Sequence, residues 1–211
     1  MCDVGTLARW RVAAAAVIAG VTMTGCQAKP KRAIHTESIT YSRDRVRFPP
    51  TNVPALAAVT SSKRFLTSVL RVPRRLNYGE FVWSDRNVPP GKAWVLVDLK
   101  AQTMSVFRGS DEIGRAVTLY GVDDTPTPIG RFTVLERRKV HVSNLYDAPM
   151  PYTLRLTRDG VSIHGSNVKV GLGTHGCLGV PTAFGAKLFE AMPRGAEVLI
   201  VADAARPGIG A

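Results

Sequence analysis

Short apolar segments separated by turn residues dominate the second half of this 211-residue chain. Several of them alternate apolar with polar residues, and they are bounded by glycine, proline or short polar runs, which is typical of β-strands. The segments lie at residues 94–99, 103–107, 112–120, 131–135, 152–156, 161–164, 177–180 and 197–201. The polar turn at residues 100–102 joins the first two as a hairpin. The pattern therefore predicts one mainly β domain.

A single segment of this region has a helical pattern instead. Thr182 is placed as its N-cap and Gly195 lies near its end. Apolar residues recur between them at helical spacing, at Phe184, Leu188, Phe189 and Met192. We expect one helix that packs on the strands, in a chain whose 45% hydrophobic content suffices for one good core.

The N-terminus has the pattern of an export signal. Arg9 and Arg11 precede an apolar run at residues 12–23, which is too short to span a bilayer but suits a signal sequence. The run ends in Met23-Thr24-Gly25-Cys26, which resembles the lipobox of bacterial lipoproteins. That resemblance implies a lipid on Cys26 and attachment to a membrane. An ordinary signal peptide, cut for example after Ala28, is the alternative.

The rest of the chain divides by composition. We expect a signal peptide at residues 1–25, a proline-containing polar tether at 26–62, an extension at 63–92, a compact β-rich domain at 93–203 and a tail at 204–211. Within the extension, the apolar spacing at residues 62–72 predicts a short amphipathic helix that Pro73 ends.

The net charge of +12 is compatible with an anionic partner. Export argues against nucleic acid and favours anionic envelope material, such as lipid head groups or the carboxylates of peptidoglycan stem peptides. We expect a monomer on the periplasmic side of the envelope. By analogy with lipoprotein sorting, Gln27 rather than aspartate after Cys26 favours the outer membrane.

The cluster that bears chemistry is Ile163-His164-Gly165 followed by Thr174-His175-Gly176-Cys177. A thiol attacks efficiently only as thiolate, and a neighbouring imidazole that takes its proton activates it. Gly176 permits a tight turn in which consecutive amides point at one developing oxyanion. Because Cys2 and Cys26 lie in or beside the signal, Cys177 is the one unpaired thiol of the folded domain. These residues predict a cysteine acyl-transfer site.

A metal site is a competing interpretation, since His164, His175 and Cys177 are all competent zinc ligands. However, Cys177 follows His175 by only two residues, and no fourth ligand is evident. We therefore expect neither a metal nor another cofactor.

Residues 94–201 resemble the catalytic domain of the bacterial L,D-transpeptidases, which cross-link peptidoglycan. The opening hairpin is the first match, and the loop Thr125-Pro126-Thr127-Pro128-Ile129-Gly130-Arg131-Phe132 is the second. The His-Gly and Thr-His-Gly-Cys pair is the third and most specific. The resemblance implies the β-sandwich or barrel of that family, with one packed helix.

Position by position, the resemblance makes Cys177 the nucleophile and His164 its base. It implies that the carbonyl of Gly165 orients the base, and that the amides of His175, Gly176 and Cys177 bind the oxyanion. The implied reaction is attack on the carbonyl before the terminal D-alanine of a tetrapeptide stem, followed by transfer of the thioester to an acceptor amine. Tyr120, Tyr152 and Thr174 are candidate contacts with the substrate.

Gly179 departs from the family pattern, which has arginine or asparagine two residues after the cysteine. The loop between His164 and Thr174 is also short, which implies a more open lid. Two other functions therefore stay open. The thioester is resolved by water in a carboxypeptidase or other wall hydrolase, and a non-catalytic wall-binding lipoprotein retains the cleft without the chemistry. His141 is interpreted as a surface residue.

Overall fold

The structure is a computed structural model that describes residues 40–41, 44–49, 65–122, 124–143 and 147–204. These residues all belong to a compact unit that begins at Thr36. They form the strands β1 (Thr40–Tyr41), β2 (Arg45–Arg47), β3 (Ser68–Leu70), β4 (Phe81–Trp83), β5 (Ala93–Asp98), β6 (Thr103–Arg108), β7 (Asp111–Val117), β8 (Gly130–Thr133), β9 (Glu136–Arg138), β10 (Thr153–Arg155), β11 (Ser162–Ser166), β12 (Leu178–Pro181) and β13 (Glu197–Val201), and the helix α1 (Thr182–Ala191).

The larger sheet has nine strands in the order β1-β2-β3-β7-β6-β5-β13-β8, with β4 paired to β7. Its centre is the predicted hairpin, in which Trp94 pairs with Phe107 and Val97 with Met104. The β5 strand is buried on both faces because its apolar residues do not alternate with polar ones. Val95 and Val97 enter the main core, whereas Trp94 and Leu96 enter a second core on the opposite face.

The segment before residue 92 contributes to this sheet, which corrects two sequence predictions. Strands β1 and β2 lie within the predicted tether, and β3 lies where a helix over residues 62–72 was expected. The helix prediction is wrong for the described residues because β3 pairs with β2 and β7, and its Val69 packs in the second core together with Leu66, which precedes the strand. Apolar residues spaced three or four positions apart do not distinguish a buried strand from a helix over so short a segment.

A buried polar network holds this segment in place. The Arg45 guanidinium, 2% exposed, donates hydrogen bonds to the Ser68 hydroxyl at 2.9 Å, to the Glu112 carbonyl at 2.6 Å and to the Ser84 carbonyl at 2.8 Å. The buried Glu112 carboxylate accepts from the Leu70 amide at 2.9 Å and from Arg115 at 2.7 and 2.8 Å. Each buried charge is therefore satisfied by partners from distant parts of the chain, which favours one register of the N-terminal strands.

The smaller sheet has four strands in the order β12-β11-β10-β9, and its apolar face joins the main core. The helix α1 packs on this sheet, and Phe184 on the helix is fully buried. Its ring meets those of Phe81 and Trp83 edge-on, with centroids 5.7 and 5.6 Å apart. Truncation of a buried aromatic residue of this kind costs about 3–5 kcal/mol.

The helix agrees with the sequence prediction except at its start. Its N-cap is Pro181, whose side chain makes no capping hydrogen bond, and Thr182 is the first helical residue. Pro181 also ends β12, so the strand passes directly into the helix without a capping turn. Among the described residues, no helix has both the length and the apolar character needed to cross a membrane.

Candidate active site

The polar face of the smaller sheet forms the floor of the site. Register places His164 beside Gly179 on one side and beside Thr153 on the other, with Arg138 opposite Thr153. Two residues away along β11, Ser162 lies beside Arg155, which lies opposite Glu136. Side chains alternate between the faces of a sheet, so these residues share one face while Leu154 and Ile163 point into the core.

Cys177 immediately precedes β12, at the level of Ser162 on the neighbouring strand. The parallel pairing of β11 with β12 puts His164 diagonally across from it, two residues along the same face. Two groups that are thirteen positions apart in the sequence are thereby held on adjacent strands. The two motifs of the sequence thus form a single site because one lies on β11 and the other leads into the neighbouring strand β12.

The orientation of the His164 ring follows from one contact. Its Nδ1 lies 3.0 Å from the carbonyl oxygen of Gly165. A carbonyl only accepts, so this contact requires a proton on Nδ1 and leaves Nε2 as the unprotonated nitrogen of the neutral ring. The Gly165 amide in turn donates to the Pro151 carbonyl at 2.8 Å, which fixes the carbonyl that orients the ring.

Burial holds both reacting groups in their neutral forms. It lowers the pKa of His164, against the hydrogen bond that the ring donates to the Gly165 carbonyl, and the charge of His141 lowers it further. Burial also raises the pKa of the Cys177 thiol, against a backbone hydrogen bond from Ser162. The thiol lies 3.9 Å from the Gly160 carbonyl, and among the described residues no hydrogen bond joins it to His164. Burial thus favours the neutral thiol of Cys177 and the neutral imidazole of His164.

The backbone before Cys177 makes a tight turn at Gly176. Gly176 has φ of +94°, a conformation that residues with a side chain rarely adopt. The Thr174 hydroxyl donates to the Cys177 carbonyl at 2.5 Å, so the turn is closed on itself. Within the described ranges the Gly176 amide donates to no other residue, which leaves its N–H available as a hydrogen-bond donor.

The loop of the second sequence motif supports this turn from behind. The buried Thr127 hydroxyl accepts from the Gly121 amide at 2.8 Å and donates to the Gly176 carbonyl at 3.0 Å. Gly121 is tightly enclosed, since a Cβ built on it would lie 2.6 Å from the Gly176 nitrogen and 2.1 Å from the Thr125 carbonyl oxygen. The sequence singled out the motif but not Thr127, whose position two residues after Thr125 is its only signal.

A cavity of about 740 Å³ opens over the floor. Its lining includes all three residues of the chemical cluster, His164, His175 and Cys177, together with Thr174 and Gly176. His141 also lines it and is half-buried. It reaches the cavity from the connection between β9 and β10, far from the cluster along the chain.

The space beside Gly179 is taken by its neighbours. A Cβ built there would lie 3.1 Å from the Ser166 Cβ and 3.3 Å from the Leu119 Cβ, both tight contacts. Leu119 is bonded to Gly179 through both backbone groups, at 2.8 and 3.0 Å. Ser166 lies on the same face as His164 and lines the cavity, so its side chain takes part of the space beside Gly179.

Two predicted substrate contacts are not at the cavity. The side chain of Tyr120 packs against the main core, and its carbonyl accepts from the Thr174 amide at 3.0 Å. The Tyr152 ring meets that of Phe189 on α1, with centroids 6.0 Å apart. Both tyrosines therefore have packing roles, Tyr120 against the main core and Tyr152 against Phe189. Cys26 lies outside the described residues.

The metal interpretation has no geometric support in the described part of the chain. No group of three or more His, Cys, Asp or Glu residues there is arranged to hold an ion. Nδ1 of His164 instead donates a hydrogen bond to the Gly165 carbonyl, which fixes the tautomer of the ring.

Comparisons with known proteins agree with this geometry. A family model described as YkuD, L,D-transpeptidase catalytic domain, matches residues 92–200. An L,D-transpeptidase from Stackebrandtia nassauensis has a similar structure, with 24% identity, 59% of this chain and 62% of that chain covered, and a TM-score of 0.50. An LD transpeptidase solved in complex with imipenem is 19% identical, with 62% of this chain and 81% of that chain covered and a TM-score of 0.50. A search of curated proteins gives no match.

These likenesses differ in what they establish. At such identities the solved structures indicate the fold, and the predicted mainly β fold with one packed helix is confirmed. The match spans about three fifths of the Stackebrandtia protein, at 62% of its length. The family model, in contrast, covers more than half of this chain, from residue 92 to 200 of 211. The chain belongs to the L,D-transpeptidase catalytic domain family.

Proposed function

We propose that the protein is a peptidoglycan L,D-transpeptidase that transfers an acyl group through a thioester on Cys177. The observation that carries the proposal is the His164 ring on the strand next to Cys177, whose Nδ1 is held by the Gly165 carbonyl at 3.0 Å so that Nε2 is the nitrogen left to accept a proton. Family membership supports the same chemistry.

The first stage forms the thioester. Nε2 of His164 takes the thiol proton, and the Cys177 thiolate adds to the carbonyl that precedes the terminal D-alanine of a tetrapeptide stem. The resulting oxyanion is bound by the amides of the turn that Thr127 and Thr174 hold, which include that of Gly176. When the C–N bond breaks, His164 returns its proton to the departing amine of D-alanine.

The second stage transfers the acyl group. An acceptor amine loses a proton to His164 as it attacks the thioester, the C–S bond breaks, and the thiolate recovers the proton. Two pKa shifts oppose formation of the thiolate in the empty site, since burial favours the neutral thiol and the neutral imidazole. We therefore assign more of the stabilisation of the transition state to the oxyanion donors than to the base. One such donor stabilises the transition state by about 3 kcal/mol.

The envelope location is part of the proposal. A substrate in peptidoglycan requires export, and the N-terminal signal with lipid on Cys26 would supply both export and an anchor. We expect a monomer attached on the periplasmic side, at the outer membrane. The catalytic unit of this proposal includes the strands from residue 40 onward, because they complete the larger sheet.

The test is product analysis. Purified protein is incubated with a tetrapeptide muropeptide and the products are identified by mass spectrometry, with Cys177→Ala as the control. The proposal predicts release of D-alanine and a cross-linked dimer in equal amounts. Release of D-alanine with only the free tripeptide would establish a hydrolase, and no turnover by either route would favour a wall-binding lipoprotein.

A further inference from the structure

Two arginines and a glutamate lie on the cavity face of β9 and β10, away from the nucleophile. Arg138 Nε donates to Glu136 Oε1 at 2.6 Å, and NH1 of Arg155 lies 3.6 Å from Glu136 Oε2. All three side chains line the cavity and are between 38% and 50% exposed. The chemistry described above uses none of them.

The Arg155 guanidinium is held in place by the backbone. Its Nε donates to the Thr157 carbonyl at 3.0 Å, and one terminal nitrogen donates to the Arg158 carbonyl. These bonds direct the other terminal nitrogen towards Glu136. A fixed cation of this kind loses little side-chain entropy when it binds a ligand.

Donors remain on this pair of arginines. Among the described residues, NH1 and NH2 of Arg138 form no hydrogen bond, and NH1 of Arg155 has only the longer contact with Glu136. The hydrogen bond from Arg138 lowers the pKa of Glu136 below its usual value, and the charge of Arg155 lowers it further. Glu136 is thus ionised, and two cations with one anion leave one net positive charge. Its carboxylate aligns both arginines.

The cluster lies at a defined distance from the reacting atoms. Arg155 is beside Ser162, which is at the level of Cys177 on the next strand. Two strand spacings separate Arg155 from Cys177, which is about 10 Å between backbones. A group bound by the arginines is therefore several bonds from the attacked carbonyl. The carboxylate of the leaving D-alanine is only three bonds from that carbonyl, so we assign the arginines to a carboxylate farther along the donor.

We propose that Arg138 and Arg155 form a subsite for a free carboxylate of the donor stem peptide, on the residue whose carbonyl is attacked or on the residue before it. The inference rests on the proposed acyl transfer and adds that the donor is selected by this charge. Arginine favours carboxylates because its planar donors match both oxygens. The exposed carboxylate of Asp159 also lines the cavity, at the turn after β10. Because this carboxylate repels an anion, we limit the proposed subsite to the part of the wall that β9 and β10 form.

The test compares three synthetic tetrapeptide donors that end in D-alanine. The first has its carboxylates free, the second has a carboxamide on the side chain of the attacked residue, and the third has one on the preceding residue. Acylation of Cys177 is followed by intact mass. The wild type is expected to react with the free acid about tenfold faster, in kcat/KM, than with one of the two amides, as for one charge-assisted hydrogen bond.

Arg138→Gln and Arg155→Gln should each reduce this preference, mainly through KM, and Arg138→Lys should restore part of it. Arg138 is the safer site, because its side chain is half-exposed and, within the described ranges, is bonded to Glu136 alone. Arg108→Gln is the matched control, since it removes an ion-paired arginine from β6, outside the cavity. Alkylation by neutral iodoacetamide reports whether each variant keeps a folded site.

The outcomes separate the two proposals. If no donor acylates the wild type, the proposed function fails. If all three donors acylate it equally, or if Arg138→Gln retains the full preference, acyl transfer stands and the carboxylate subsite is overturned. Loss of the preference in Arg138→Gln with Arg108→Gln unchanged supports the subsite, and the amide that reacts slowly identifies which carboxylate it binds.

Discussion

The Thr127 hydroxyl donates a hydrogen bond to the Gly176 carbonyl over 3.0 Å and so connects the proline-containing loop to the turn before the nucleophile. It also accepts one from the Gly121 amide at 2.8 Å. Thr127 is 5% exposed, so water cannot replace the hydroxyl easily. The position of the turn that we propose as the oxyanion donor thus depends on the buried Thr127 hydroxyl.

Thr127→Val should therefore impair acylation more than it impairs folding. It leaves the Gly121 amide and the Gly176 carbonyl without their buried partner, at a cost of about 1–3 kcal/mol of unfolding free energy. A displaced oxyanion turn should lower the acylation rate by about 10²-fold. Stopped-flow acylation and urea unfolding measure the two effects. Thr127→Ser keeps the hydroxyl and is the matched control, so an equally slow serine variant would contradict the assigned role.

The contact between Gly179 and Ser166 predicts coupled mutations. Gly179→Ala places a methyl group 3.1 Å from the Ser166 Cβ, so overpacking should cost about 1–3 kcal/mol of stability. Ser166→Gly removes that neighbour, and the double variant should recover part of the loss, with a coupling of about 0.5–3 kcal/mol. Thermal unfolding of the four proteins measures the cycle.

Gly91→Ala is the control for this cycle, because its new Cβ would meet the Gly109 nitrogen at an ordinary 3.5 Å. Additive effects of Gly179→Ala and Ser166→Gly would show that Ser166 does not occupy the space expected for a larger side chain.

The pH profile should report His141. Burial lowers the pKa of His164, and a protonated His141 lowers it further by repulsion. Because only neutral His164 accepts the thiol proton, the acidic limb of the acylation rate should lie below the usual histidine value of about 6.5. His141→Asn removes the repulsion, which raises the pKa of His164 and moves the limb to higher pH. Lys139→Gln, an exposed residue outside the cavity, should leave it in place. A limb that stays fixed in His141→Asn would remove His141 from the electrostatics of the site.

Much of the central sheet could be predicted because its signals are local. The hairpin of β5 and β6 follows from apolar runs around a polar turn, and α1 follows from its spacing of apolar residues. Strands β1 to β4 have only two or three residues each, and what holds them is a long-range network such as Arg45 with Glu112. No window of sequence contains both partners, so the segment was interpreted as a tether and a helix.

The same reasoning applies to the site. His164, His175 and Cys177 are close in the sequence and are recognisable by their chemistry. Arg138, Arg155 and His141 reach the cavity only through the pairing of β9 with β10 and the loop between them. The tyrosines were assigned to the cavity from their places near strand ends, but which way such a residue turns depends on packing. Phe189 and the main core decide it here.

The central claim is that Cys177 is the nucleophile, and intact-mass analysis with peptide mapping tests it most directly. The protein is exposed at neutral pH to imipenem and, separately, to a tetrapeptide muropeptide. We expect one covalent adduct per chain with each, confined to the peptide that contains Cys177 and lost in Cys177→Ala. His164→Gln should slow its formation by about 10²–10⁴-fold. No adduct with either reagent, or an adduct that persists in Cys177→Ala, would contradict the account.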